Sequence, residues 1–269
     1  MKKALLGRLA TIVGLGLVGY SISQIYIDER EKPVAITPLP TKAGELPGSD
    51  KIMNTLRILQ SDVKVTAITE SQFRDMYAVT LASGRTLYAT KDGTYVFAGN
   101  LFKNVDGNSV LNVTEQGLQK VASQKIAGLK ESDMVIYPAA ERKASITVFT
   151  DVDCPYCAKL HEDLPALTAK GIEVRYLAFP RMGLESETYK KMVSVWCATD
   201  RKLAMDQAKG PAEKLERTTC ENPVAEQFQL GQEMGVRGTP TIYLEDGQVI
   251  GGYSPPEQLI ERALNAAQK

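Results

Sequence analysis

The sequence predicts an α+β chain in two folded parts: a small antiparallel β-rich domain, a bridging helix, and a larger α/β domain in which strands and helices alternate. Three observations carry this. Apolar runs at 63–68, 76–81, 86–90 and 94–98 are separated by turn residues, with Lys91-Asp92-Gly93 as a hairpin signal. A β-branched run, Thr147-Val148-Phe149-Thr150, leads through Asp151 and Asp153 into Cys154-Pro155-Tyr156-Cys157 and a helix-forming stretch. About 80 residues later, Gly238-Thr239-Pro240 opens another strand, followed by an Asp246-Gly247 turn, a further strand and a closing helix.

With 269 residues, 43% hydrophobic and 24% charged, the chain has ample material for one or two cores. Its 32 basic and 32 acidic side chains cancel, so no basic field exists to hold nucleic acid. In residues 1–27, Lys2, Lys3 and Arg8 precede an uncharged run that stops at Asp28-Glu29-Arg30. Two readings stand. One is a cleaved signal peptide, with Gly19-Tyr20-Ser21 or Ser21-Ile22-Ser23 at the cut. The other is a retained anchor with its basic end in the cytoplasm. Both send the remainder to an oxidising compartment.

Residues 28–48 carry Pro33, Pro38, Pro40 and Pro47 and read as an extended linker. The β-rich domain spans 49–112. Ser49 is its expected N-cap, opening a helix over 50–60 with Ile52, Met53, Leu56 and Leu59 on one face. So small a sheet leaves edges that pairing with a second copy would cover; a self-sufficient module is the alternative. Residues 113–131 form the bridge, a helix capped by Thr114 and running to about 129. The domain over 132–269 opens with strands at 134–137 and 146–150. A helix over 157–169 follows, bent near Leu164 by Pro165. Next come a strand at 172–179, helices at 186–208, 211–217 and 224–235, the hairpin, and a last helix over 256–267.

The chemistry centres on Cys154. At a helix start, unpaired N–H groups and the helix dipole favour its thiolate, the reactive form. Cys157, one turn on, can close a disulfide with it. Cys-x-x-Cys also occurs in zinc knuckles. The four cysteines, Cys154, Cys157, Cys197 and Cys220, fit one redox pair plus a further pair, or a four-thiolate metal site. The wide spacing of Cys197 and Cys220 favours the redox reading, which needs no metal or cofactor. A single histidine, His161, excludes a His-rich metal site. Thr239-Pro240 is either a cis bond facing the cysteines or a trans proline starting a strand. Asp151 and Asp153 read equally as tuning Cys154 and as loop or N-cap residues. His161 reads as a surface polar contact, with tuning of the thiolate as the alternative, and Trp196, next to Cys197, as packing around the second cysteine pair.

Several segments resemble the periplasmic disulfide isomerases of the DsbC/DsbG family, with DsbC the nearer side of it. They are Phe149-Thr150-Asp151, Tyr176-Leu177-Ala178-Phe179-Pro180-Arg181, Trp196-Cys197-Ala198, Gly238-Thr239-Pro240 and Gly252-Tyr253-Ser254-Pro255-Pro256, with Leu87-Tyr88 and Asp92-Gly93 through Phe97 in the first domain. The likeness covers roughly 49–269. It implies a thioredoxin-like C-terminal domain with a helical insertion and a small cystatin-like N-terminal domain that makes a homodimer. It implies Cys154 as nucleophile, Cys157 as resolving cysteine, Thr239 and Pro240 as a cis-proline substrate loop, and Cys197–Cys220 as a structural disulfide. Tyr156, at the surface between the cysteines, is a further candidate for substrate contact. The implied clients are misfolded, disulfide-containing exported proteins in the periplasm, with chaperone activity and a membrane reductase of the DsbD type as partners to the cycle. A tether to the inner membrane follows if residues 1–27 stay.

Two departures matter. Pro155 stands where the DsbC type has glycine, which opens the balance between isomerase and oxidase. Val148 stands where ordinary thioredoxins carry a buried aspartate. Competing readings are a thiol oxidase or reductase dedicated to a secretion system, and a chaperone with a minor redox role.

Overall fold

The computed structural model describes residues 46–210 and 215–268. The signal or anchor expectation and most of the expected linker lie outside the described residues. The N-terminal region comprises α1 (Ser49–Leu59) and an antiparallel sheet in the order β1 (Val65–Glu70), β2 (Met76–Leu81), β3 (Thr86–Thr90), β4 (Val96–Phe97). Alternation places Ile68, Tyr77, Val79, Leu87 and Ala89 on one face, where Ile52 and Leu56 of the helix cover them. The cap differs from expectation. Gly48 takes the N-cap at φ 84°, and the Ser49 hydroxyl instead donates to the Leu46 carbonyl at 2.6 Å. Only glycine fits there, because a Cβ would lie 2.0 Å from the Lys91 carbonyl oxygen. A hairpin of β5 (Phe102–Asn104) and β6 (Val110–Asn112) follows, its strands too short for their alternation to register in the sequence.

The bridging helix is α2 (Val113–Ala127). Its cap is Asn112, which accepts from the Glu115 N–H at 3.1 Å; Thr114 instead accepts from the Leu101 N–H at 2.9 Å. Ala122 and Ile126 pack against a cluster of Met134, Phe149, Leu177, Phe179, Val236 and Tyr243. Lys125 donates to the Ala82 carbonyl at 2.9 Å, just after β2, and pairs at 3.5 Å with Glu233, which lies in the C-terminal region, so one side chain of the helix reaches both regions.

The C-terminal region runs β7 (Val135–Tyr137), β8 (Ala144–Thr150), α3 (Pro155–Glu162), α4 (Leu164–Ala169), β9 (Ile172–Ala178), α5 (Glu187–Cys197), α6 (Arg201–Lys209), α7 (Val224–Glu233), β10 (Thr241–Leu244), β11 (Val249–Gly251) and α8 (Pro256–Ala266). The sheet order is β11-β10-β8-β9-β7, with β8 and β9 parallel and the other pairs antiparallel. Every residue of β8 is buried, as befits a central strand covered on both faces. One face carries Ile146 and Val148 into the main core with Leu160, Leu167, Trp196 and Leu259. The opposite face carries Phe149 toward α2 and α7.

Two expected helices are interrupted. The one over 157–169 breaks at Asp163 into α3 and α4, since Pro165 has no N–H to continue the ladder. The one over 186–208 breaks after Cys197, and Asp200 opens α6 by accepting from the Leu203 N–H at 3.0 Å. Of the helix expected over 211–217, residues 215–217 are not helical and the rest lies outside the described residues.

Candidate active site

Cys154 is the N-cap of α3, and Pro155 occupies its first turn. Proline suits that position because its φ is preset and a first-turn N–H has no intrahelical partner to lose. The N–H groups of Cys157 and Ala158 both reach the Cys154 carbonyl at 3.0 Å. Cys154 and Cys157 are both reduced and buried, and Tyr156 between them is 62% exposed. Facing them is the loop before β10, with a cis bond between Thr239 and Pro240. The Cys154 thiol donates to the Thr239 carbonyl at 3.3 Å.

The two sulfurs sit in different fields. Burial works against a Cys154 thiolate, but Thr239, the Cys157 N–H and thiol, and the Arg181 guanidinium together outweigh it, so its pKa falls below that of an ordinary cysteine. Burial dominates at Cys157 and pushes its pKa up, against the opposing influence of Lys209, Thr150 and Thr239. The two shifts run in opposite directions: the surroundings favour the thiolate at the outer sulfur and the thiol at the inner one.

The acids before the motif hold the loop rather than cap the helix. Asp151 accepts from the Asp153 N–H at 2.8 Å and from Arg181 through its backbone N–H at 2.9 Å and its Nε at 3.0 Å. Asp153 accepts from the Thr188 hydroxyl at 2.5 Å and Lys191 Nζ at 2.9 Å. Of the two expected readings, tuning Cys154 or serving the loop, the contacts of both acids are those of loop residues, and the cations they meet come from distant positions.

His161 departs from the expected surface contact. Its side chain is only 14% exposed and bridges the Tyr176 hydroxyl at 3.3 Å and Asp206 at 3.0 Å, edge-on to Tyr137. The helix break at Asp163 and the docking of α6 enclose it. Burial, and after it the Lys209 charge, pull its pKa down to about 4, against the pull of Asp206. Trp196 lies in the main core and donates its indole N–H to the Asp133 carbonyl at 2.8 Å. Cys197, at the end of α5, is joined by a disulfide to Cys220, 23 residues on. Lys209, whose charge acts on Cys157, carries no motif that marks it in the sequence; Arg181 closes the Tyr176–Arg181 segment, but nothing local there names Cys154 or Asp151 as its partners.

A reduced Cys-x-x-Cys pair at a helix start, with a low-pKa outer sulfur and a cis-proline loop across from it, defines a thiol–disulfide oxidoreductase. Residues 130–268 match the family model of a thioredoxin-like domain, and residues 43–115 that of the disulfide bond isomerase protein N-terminal domain. The chain is 39% identical over 209 residues to the thiol:disulfide interchange protein DsbC of Dickeya dadantii, covering 77% of this chain and 82% of that one. It is 38% identical over 199 residues to DsbC of Escherichia coli K12, covering 74% and 81%. DsbC of Haemophilus influenzae is 39% identical over 183 residues, covering 68% and 76%. The chain belongs to the DsbC family of thiol:disulfide interchange proteins, and its redox centre is that of a thiol–disulfide isomerase.

Proposed function

We propose that this protein rearranges non-native disulfides in exported proteins of the periplasm. The observation that carries the reading is the pairing of a thiolate-favouring Cys154 with the Thr239–Pro240 loop, whose carbonyl lies 3.3 Å from the sulfur. The Cys154 thiolate attacks a client disulfide and forms a mixed disulfide, and the freed client thiolate attacks elsewhere until a stable pairing returns Cys154 free. When rearrangement stalls, Cys157 attacks Cys154, releasing the client reduced and the enzyme oxidised. Thr239, Pro240 and the exposed Tyr156 hold the client chain, and Cys197–Cys220 serves structure.

In this reading residues 49–112 are a cystatin-like dimerisation domain, 113–131 a linker helix and 132–269 the redox domain. Exposed Phe97 on edge strand β4, with Phe102 and Val110 on the β5–β6 hairpin, supports a homodimer whose contact would cover them. The cleft between protomers gives chaperone activity, a membrane reductase of the DsbD type regenerates the thiols, and residues 1–27 either are removed or tether the protein. Refolding of a scrambled multi-disulfide substrate tests the function. Cys154→Ala abolishes the gain in native product; undiminished activity in that variant removes the isomerase reading. Sedimentation of the exported chain as a monomer removes the dimer.

A further inference from the structure

Arg237 lies two residues before Thr239, on the loop that faces the cysteines. The backbone around it is pinned at three points. Val236 is buried, and its N–H donates to the Gly231 carbonyl at 2.8 Å. The Gly238 carbonyl accepts from the Thr241 hydroxyl at 2.7 Å, and the Thr239 carbonyl accepts from the Cys154 thiol at 3.3 Å. Arg237 itself is exposed, and its guanidinium has no hydrogen bond or ion pair among the described residues. Even a fully extended chain from 237 to 239 puts the Arg237 Cα within about 13 Å of the Cys154 sulfur. A charge on a long flexible stem at that place covers the ground a client chain crosses to reach the sulfur.

The acids of the motif loop are already engaged. Asp151 is 1% exposed and held by Arg181, and Asp153 is held by Thr188 and Lys191. Arg181 brings a second guanidinium to the same loop. Its Nε and Nη2 are spent on Asp151 and on the Asp153 carbonyl, at 3.0 and 3.4 Å, and its Nη1 has no acceptor among the described residues. The chain as a whole carries no net charge, so this excess of uncommitted cation is local to the redox site.

We propose that Arg237 is a specificity residue for disulfide exchange: it pairs with a carboxylate beside the client cysteine and so favours disulfides flanked by acidic residues. This rests on the roles given above to Cys154 and to the Thr239–Pro240 loop. In the step, the Cys154 thiolate attacks one client sulfur. The client disulfide breaks, the bond from Cys154 to the client forms, and the second client sulfur leaves as a thiolate that takes up a proton, so no other oxidant or reductant enters. A client carboxylate is repelled by the thiolate it must approach, and Arg237 offsets that repulsion. Arginine stays charged at every pH at which the exchange runs.

Symmetric disulfides of acetyl-Glu-Cys-Gly-amide, and of its Gln and Lys counterparts, test this. Each is mixed with excess reduced protein at pH 7 and low salt, and the second-order rate of peptide thiol release is read. The ratio of the Glu to the Gln rate falls about threefold in Arg237→Met, which is what a unit charge pair about 7 Å apart is worth in water. The ratio of the Lys to the Gln rate rises in the same variant. Arg237→Lys keeps the wild-type ratios, and about 1 M salt brings wild type and Arg237→Met together. Arg57→Met removes one positive charge from α1 in the N-terminal region and leaves the ratios as in wild type. Equal ratios in wild type and Arg237→Met, or the same fall in Arg57→Met, overturn the proposal and leave the role of Cys154 standing. Undiminished exchange in Cys154→Ala overturns the assignment of nucleophile, and the proposal with it.

Discussion

Arg181 grips the buried Asp151 carboxylate twice, with its backbone N–H at 2.9 Å and its Nε at 3.0 Å. The two residues lie 30 positions apart, one before the Cys-x-x-Cys motif and one after β9. The contact fixes the loop that presents Cys154, and the same guanidinium favours the Cys154 thiolate. Arg181→Met leaves Asp151, itself 1% exposed, with one charged partner fewer. Because Arg181 is more than a third exposed, the expected loss is modest, about 1–2 kcal/mol in urea unfolding. The Cys154 alkylation midpoint should rise in the same variant. Unchanged alkylation would show that the guanidinium serves the loop alone.

His161 makes stability depend on acid. The unfolded chain protonates this ring near pH 6.5, whereas the folded chain resists until about 4. Between those values the unfolded state binds more protons, so stability falls as pH falls, by up to about 3 kcal/mol in all. His161→Gln should flatten the profile over that window while leaving the behaviour above pH 7 alone. Parallel wild-type and variant curves from pH 7 to 4 would contradict this.

Gly247 is where the β10–β11 turn meets the bridging helix. It sits at φ 83°, and a Cβ there would lie 1.8 Å from the Gln119 carbonyl oxygen of α2. Gly247→Ala must therefore displace the turn or the helix, with an expected cost of more than about 2 kcal/mol in denaturant unfolding. Gly84→Ala, where a Cβ would meet the Val121 side chain at 3.0 Å, should cost less, because a side chain can yield where backbone cannot. The reverse order would remove the claim that α2 is docked on that turn.

The Cys197–Cys220 bond closes a loop between residues 23 apart. Loop-closure entropy alone puts its contribution at about 3 kcal/mol. The double variant Cys197→Ala, Cys220→Ala should lose roughly that much stability and keep the Cys154 alkylation profile at temperatures where it is folded. A shifted profile would mean that the second pair reaches the redox site.

The sequence by itself determined the parts whose signals are local. Alternation defines β2 and β3 to the residue, because a strand covered on one face must repeat every second position. The buried strand β8 and the helix start at the motif are legible too, each expected two residues late at 146 and 157, as both depend on residues within a few positions of one another. The caps were not. Ser49 and Thr114 have capping chemistry, but Gly48 takes the first position because the Lys91 carbonyl lies against it, and Asn112 the second through its own bond to the Glu115 N–H. The tertiary structure alone decided which cations meet the acids and sulfurs of the site. Arg181 reaches Asp151 across 30 residues, Lys191 reaches Asp153 across 38, and Lys209 reaches Thr150 across 59. It also decided that His161 is enclosed rather than exposed. A charge or a hydroxyl looks the same in sequence wherever it ends up, and only the docking of α5 and α6 against α3 and β8 turns these side chains into a field around two cysteines.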